Sequence, residues 1–188
     1  MNHHSAFTTK KIVLAALLAA LTVAGSAMRI TIPVDIAGTT SFHLGNILCA
    51  LSGILLGPWL GGLAAGLGSA IYDMLNPLYI SEAWITFLSK GAYGVAAGLV
   101  ACSGKKWGYG KAIFAAAAGA ITYAVLYLAK TYFYSGLLLK GLTPDAALLT
   151  VITKLPATTF NAIIAIIFAP ILAVSIRTAL KKSRLTLD

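Results

Sequence analysis

Lysines set inside apolar runs are the residues with the most chemistry to offer. Lys90 and Lys154 interrupt otherwise apolar stretches. At about 1.5 Å per residue, Lys154 lies ~13–15 Å below the end of its run. A lysine near a bilayer centre costs on the order of 3 kcal/mol, so such a side chain faces a cavity or a partner. Lys130 stands nearer a boundary, where it can snorkel, and Asp73 offers a partner. Tyr123, Tyr127, Lys130 and Tyr134 fall at i, i+4, i+7 and i+11, one stripe of a helix. Lys154, Thr158 and Asn161 share a second face, and His43, Asn46 and Ala50 a third. Cations, amides and phenols converging in one half of a helical bundle suit the binding of a small polar molecule with a ring. For Tyr79, Trp84, Tyr132 and Tyr134 an aromatic belt at the membrane interface is an equal reading.

Other chemistries lack parts. His43 is far in sequence from His3 and His4, and no His/Cys/carboxylate group has metal-ligand spacing. Gly66-Leu67-Gly68-Ser69 resembles a serine nucleophile turn only loosely, with no histidine placed as its base. Gly98 to Lys106 is one residue too long for a phosphate loop, and no Ser or Thr follows the lysine. No catalysis, metal or cofactor is expected. Uphill transport would draw on an ion gradient or another subunit.

Composition supplies the elements that must position these groups. Of 188 residues, 59% are hydrophobic and 10% charged, against about 25% charged in soluble domains. A soluble globule this apolar could not cover its surface, which excludes a cytosolic enzyme, a nucleic-acid-binding module and a disordered chain. The expected fold is all-α: one polytopic membrane domain, residues 1–188, with six transmembrane helices in a bundle. The helices fall at about 12–28, 42–56, 59–75, 83–102, 111–135 and 144–178. Five spans is the alternative count. Gly57-Pro58 separates helices 2 and 3 in a tight hairpin, and Asn76-Pro77 ends helix 3. Thr143 caps helix 6 with Pro144 in its first position, and Pro156 and Pro170 are expected to bend it. Cys49 and Cys102 read as small buried thiols. Lys10-Lys11 followed by an apolar run and Gly25-Ser26-Ala27 has the outline of a signal peptide, but a retained first helix is simpler in so apolar a chain.

The net charge of +9 reflects topology rather than nucleic acid. Lys10, Lys11, Lys105, Lys106, Lys111, Arg177, Lys181, Lys182 and Arg184 gather on the side of both termini, nine of the 14 basic residues. The positive-inside rule puts both ends in the cytoplasm. Ala16, Ala20 and Ala24 repeat at i, i+4 and i+8 on helix 1, a face of small residues that another helix can approach closely.

Several of these stretches together resemble the substrate-binding S component of an energy-coupling factor (ECF) transporter. They are the alanine face of helix 1, Thr40-Ser41-Phe42-His43-Leu44-Gly45-Asn46, Leu55-Leu56-Gly57-Pro58, Gly61-Gly62-Leu63-Ala64-Ala65-Gly66 and Asp73 to Pro77. The likeness runs over nearly the whole chain and is strongest at residues 39–77. It implies a subunit of the cell membrane of a prokaryote that binds a vitamin or related micronutrient from outside. Release inward then requires a membrane coupling protein and two cytoplasmic ATPases. By the resemblance, Ala16, Ala20 and Ala24 meet the coupling protein, and residues of about 32–41 gate the pocket. Lys90, Tyr93, Tyr127, Lys130, Lys154 and Asn161 hold the substrate, joined by His43, Asn46 and Asp73. Three other classes fit the same composition: a stand-alone secondary transporter, for which no internal repeat is visible, an intramembrane enzyme, for which the sequence offers no convincing acid/base or nucleophile pair, and a structural membrane subunit in which the lysines only pack.

Overall fold

The computed structural model describes residues 8–34, 38–104 and 107–183. Of the residues used above, His3, His4, Lys105, Lys106 and Arg184 lie outside these, as do residues 35–37 of the expected gate. Among the described residues six α-helices occur: α1 (Thr9–Ala27), α2 (Gly45–Leu56), α3 (Pro58–Met74), α4 (Ala83–Cys102), α5 (Tyr109–Lys130) and α6 (Pro144–Lys182). The chain is an all-α membrane protein. Four stretches, Thr9–Ala27, Ile80–Cys102, Tyr109–Leu139 and Pro144–Lys182, are long and apolar enough to cross a membrane. Helices α2 and α3 are shorter, at 12 and 17 residues.

The bundle is apolar outside and lined with small residues between helices. Trp59, Phe114, Val125, Phe133 and Leu138 are among the large side chains exposed on its surface, as lipid contact requires. Many of the buried contacts are made by alanine and glycine, beside larger side chains such as Leu18, Leu51, Ile54 and Tyr93. Ala112, Ala115, Ala116 and Ala120 on α5 and Ala165, Ala169 and Ala173 on α6 are almost fully covered. Small residues let backbones approach where lipid offers no hydrophobic drive to association. Helix α1 packs on α3 through Thr22 and Ala19, where a Cβ on Gly68 would lie 2.4 Å from the Ala19 carbonyl oxygen. Ala16, Ala20 and Ala24 point the other way and are exposed.

Local signals set the ends of the elements. Thr143 caps α6, its hydroxyl accepting from the Ala146 N–H at 3.4 Å with Pro144 next to it. Gly57 turns the chain between α2 and α3 at φ +79°, a conformation open to glycine. At that end Arg177 of α6 donates to the Ile54 carbonyl oxygen at 3.5 Å and lies 4.3 Å over the Trp107 ring, tying α6 to the last turn of α2. Pro156 and Pro170 sit within α6 without ending it. Cys49 is buried as expected, but Cys102, at the last residue of α4, is exposed.

Two departures from the sequence reading concern secondary structure. The connection after α1 is not a loop. Strands β1 (Arg29–Val34) and β2 (Gly38–His43) pair antiparallel, Arg29 opposite His43 and Val34 opposite Gly38. Helix α2 therefore begins at Gly45, and His43 belongs to the hairpin rather than to a helix face. Threonines at 31, 39 and 40 are β-forming residue types, a signal that the search for apolar spans passed over. The second departure is a π-helical continuation of α5 over Thr131–Leu139. Its wider turn brings residues five apart to one side, so Lys130 and Ser135 both reach Glu82, at 2.5 and 2.6 Å.

Candidate functional site

The polar cavity lies at the end of the bundle where α1 and α3 finish and α4 begins. Its wall is built from the last turn of α1, the hairpin, the first turn of α2, the ends of α3 and α5, the start of α4 and the middle of α6. The space between its walls, open mouth included, is about 830 Å³.

Lys90 forms the floor. It projects from α4, is 4% exposed, and donates to the Asn46 Oδ1 on α2. Its ammonium also lies 3.7 Å from the centre of the Tyr123 ring on α5. Tyr123 stacks on Tyr127 at 5.6 Å, and Tyr93 stacks behind Tyr123 at 5.8 Å. Tyr93 is fully buried and does not reach the cavity. It buttresses the Tyr123 wall, and Gly119 leaves room for it: a Cβ there would meet the Tyr93 ring at 2.4 Å. Asp73 and Ser69 reach the cavity from α3, and Ser69 touches the Cys49 thiol at 3.6 Å.

Toward the mouth the cations are held by aromatic rings and one carboxylate. The Arg29 guanidinium lies 4.2 Å from the Tyr72 ring centre and 4.8 Å from that of Tyr79, while its Nε donates to the Ser26 carbonyl oxygen at 2.9 Å. Lys130 pairs with Glu82 rather than with Asp73, the partner that spacing alone offered. Lys130 and Lys154 each lie 5.8 Å from the centre of the Tyr127 ring. Tyr134, assigned by spacing to the same stripe, has instead turned to the bundle rim, edge-on to Trp84 at 5.6 Å, because the π-helical turn changes its phase.

The hairpin closes the top. Asn161 on α6 holds it by both amide atoms: Oδ1 accepts from the His43 N–H at 3.1 Å and Nδ2 donates to the Ser41 carbonyl oxygen at 2.9 Å. Phe42 meets Phe160 edge-on at 5.0 Å beside this latch. Burial, then the charges of Lys90 and Arg29, hold the His43 imidazole well below its ordinary range. It stays neutral, and its Nδ1 accepts from the Gly45 N–H at 3.2 Å, closing the first turn of α2. Asn161→Ala is expected to free the hairpin, seen as faster amide exchange over residues 29–43 with the rest of the bundle unchanged. Wild-type protection of those amides in the variant would show that the latch does not hold the hairpin.

His43, Asn46, Asp73, Lys90, Tyr127, Lys130, Lys154 and Asn161 thus line one cavity, and Tyr93 stands behind its wall. Arg29, Ser41, Tyr79, Glu82, Thr86 and Ser89 also line it, though none of them stood among the residues expected to hold the substrate. Glu82 had a signal, as a lone acid at the start of an apolar run. The contact of Arg29 with Tyr72 and Tyr79 had none, since it forms only when the start of β1 meets the end of α3 and the segment after it.

A helical membrane bundle with a polar cavity under a hairpin has the form of a small-molecule binding site. The chain belongs to the ECF-type riboflavin transporter S component family, whose model matches residues 6–178. It is the substrate-binding subunit of a vitamin transporter and not an enzyme. A protein of Pyrococcus woesei described as an uncharacterized protein in a gap 3' region is 33% identical over 117 residues, 62% of this chain and 74% of that protein.

Proposed function

We propose that this chain binds riboflavin from outside the cell and releases it inward as one subunit of an ECF-type importer. The observation that carries the reading is the match of the family model to residues 6–178. The stacked Tyr123 and Tyr127 rings beside the amides of Asn46 and Asn161 suit a flavin, a flat ring with many hydrogen-bonding edges and a polyol tail. His43, Asn46, Asp73, Lys90, Tyr127, Lys130, Lys154 and Asn161 hold the ligand, and Tyr93 braces the stack. The hairpin is the gate.

The basic residues at the two ends of the chain put both termini in the cytoplasm, so the cavity opens outward in a prokaryotic cell membrane. The exposed Ala16, Ala20 and Ala24 face of α1 meets the membrane coupling protein, and two ATPases supply the energy. A titration of riboflavin with the purified protein tests the ligand. Stacking on tyrosine is expected to quench flavin fluorescence, saturating at one flavin per chain. Unquenched flavin with a folded, monodisperse protein would overturn the assignment.

A further inference from the structure

His43 sits at the corner where the hairpin meets α1, α2 and α6. Its main-chain N–H is one of the two groups held by Asn161 of α6. Its Nδ1 accepts from the Gly45 N–H at the start of α2. Leu44, between them, donates its N–H to the Gly25 carbonyl oxygen of α1 at 3.2 Å. The corner is tight: a Cβ on Gly45 would lie 2.5 Å from the Ser26 Oγ and 3.0 Å from the His43 Nδ1. The join therefore needs a ring nitrogen that accepts. An imidazole accepts only while it is neutral, since both nitrogens of the imidazolium carry protons.

The surroundings also oppose the charged form. Arg29 of β1 stands opposite His43 in the ladder. Lys90 from α4, Lys130 from α5 and Lys154 from α6 line the same cavity. The carboxylates among the described residues there are Asp73 of α3 and Glu82 just before α4. Glu82 is taken up by Lys130 and Ser135, and Asp73 is shared with Lys90. Helices α1 and α2 bring Ser26 and Asn46, which carry no charge, and tyrosine hydroxyls titrate far above neutrality. We propose that acid opens the hairpin: protonating His43 sets two N–H donors face to face at Gly45 and adds a cation beside Arg29 and Lys90, so the hairpin releases α2 and uncovers the cavity. The proposal rests on the reading of the hairpin as the gate and adds its control. In the closed form, burial and the two cations hold the imidazole well below its ordinary value of about 6.5. The closed form is thus fully favoured above about pH 6.5 and loses about tenfold for each unit of acidification below it.

The test is hydrogen exchange of the ligand-free full chain in detergent, at about pH 7.5 and about pH 5.5, with each amide corrected for its intrinsic rate. In the wild type, protection of the hairpin amides at 29–34 and 38–43 is expected to fall about tenfold at the lower pH, with α3 and α4 unchanged. His43→Asn keeps an acceptor at the same place and cannot take up a proton. Asn76 already makes that turn here, its Oδ1 accepting from the Leu78 N–H at 3.0 Å. The hairpin of His43→Asn is expected to stay protected at both pH values. Constant protection in the wild type overturns the proposal, and so does the same fall in His43→Asn, which would assign it to another group. A hairpin unprotected in His43→Asn at the higher pH overturns it too, since a neutral acceptor would then not hold the turn. Release of bound riboflavin from the wild type, followed by its fluorescence, is expected to quicken about tenfold over the same range. Release that ignores pH while the hairpin responds would remove the hairpin as the gate and leave the acid switch standing. The exchange result needs no ligand, so it stands apart from the riboflavin titration.

Discussion

Lys90→Met is expected to weaken flavin binding by about 100-fold or more, equivalent to roughly 3 kcal/mol. Its single ammonium joins elements that the chain keeps apart. It starts on α4, donates to Asn46 on α2, covers Tyr123 on α5, and lies within electrostatic reach of Asp73 on α3. Removing it leaves the Asn46 oxygen without its donor, and a buried acceptor left so costs about 1–3 kcal/mol. It also releases the Tyr123 ring and strips compensating charge from Asp73. Folding and binding need separating, because both depend on this cluster. Asp73→Asn added to Lys90→Met restores the charge balance, so the double variant is expected to regain thermal stability without regaining affinity. Wild-type affinity in Lys90→Met would reduce Lys90 to a packing residue and remove the floor from the site.

A larger loss of stability is expected from Gly53→Val. Three helices meet almost backbone to backbone at this level. A Cβ on Gly53 would lie 2.3 Å from the Gly94 carbonyl oxygen, one on Gly94 would lie 2.7 Å from that of Gly61, and one on Gly61 would lie 2.5 Å from that of Ser52. The neighbours are main-chain atoms, which cannot swing aside as a long side chain can. Helices α2, α3 and α4 must therefore separate, and the contacts among their small residues are lost together. Overpacking typically costs about 1–3 kcal/mol where a core can adjust, and this contact has little room to adjust. Gly53→Ala is expected to lower the unfolding temperature clearly, and Gly53→Val to give no monodisperse protein in detergent. Gly110→Ala serves as the control, because nothing lies within 4 Å of a Cβ there, and it is expected to unfold like the wild type. Gly53→Val with a wild-type unfolding temperature would show that these helices can move apart freely.

How far each feature was legible in the chain depends on how local its cause is. Hydropathy and charge are local sums, so the membrane class, the six helices and the bounds of α4 at 83–102 could be read directly. Caps and turns are local too, which is why Thr143-Pro144 and Gly57-Pro58 fall where their residue types place them. The helical stripe at 123, 127 and 130 held because an α-helix keeps its period. It failed at Tyr134, where the helix widens to a π turn that no residue type announces. The β-hairpin was missed because a scan for spans reads polar connections as loops, whereas its pairing is completed by Asn161, 118 residues beyond His43. The partners of the buried charges were hidden for the same reason. Spacing set Asp73 beside the lysines as a candidate. Packing gave Lys130 to Glu82, Lys90 to Asn46 across 44 positions, and Lys154 to no carboxylate within 4 Å among the described residues. Residue types and their periods decide which side chains must leave the lipid. Only the close approach of helices distant in sequence decides which of them find one another, because a charge pair forms by distance in space and not along the chain.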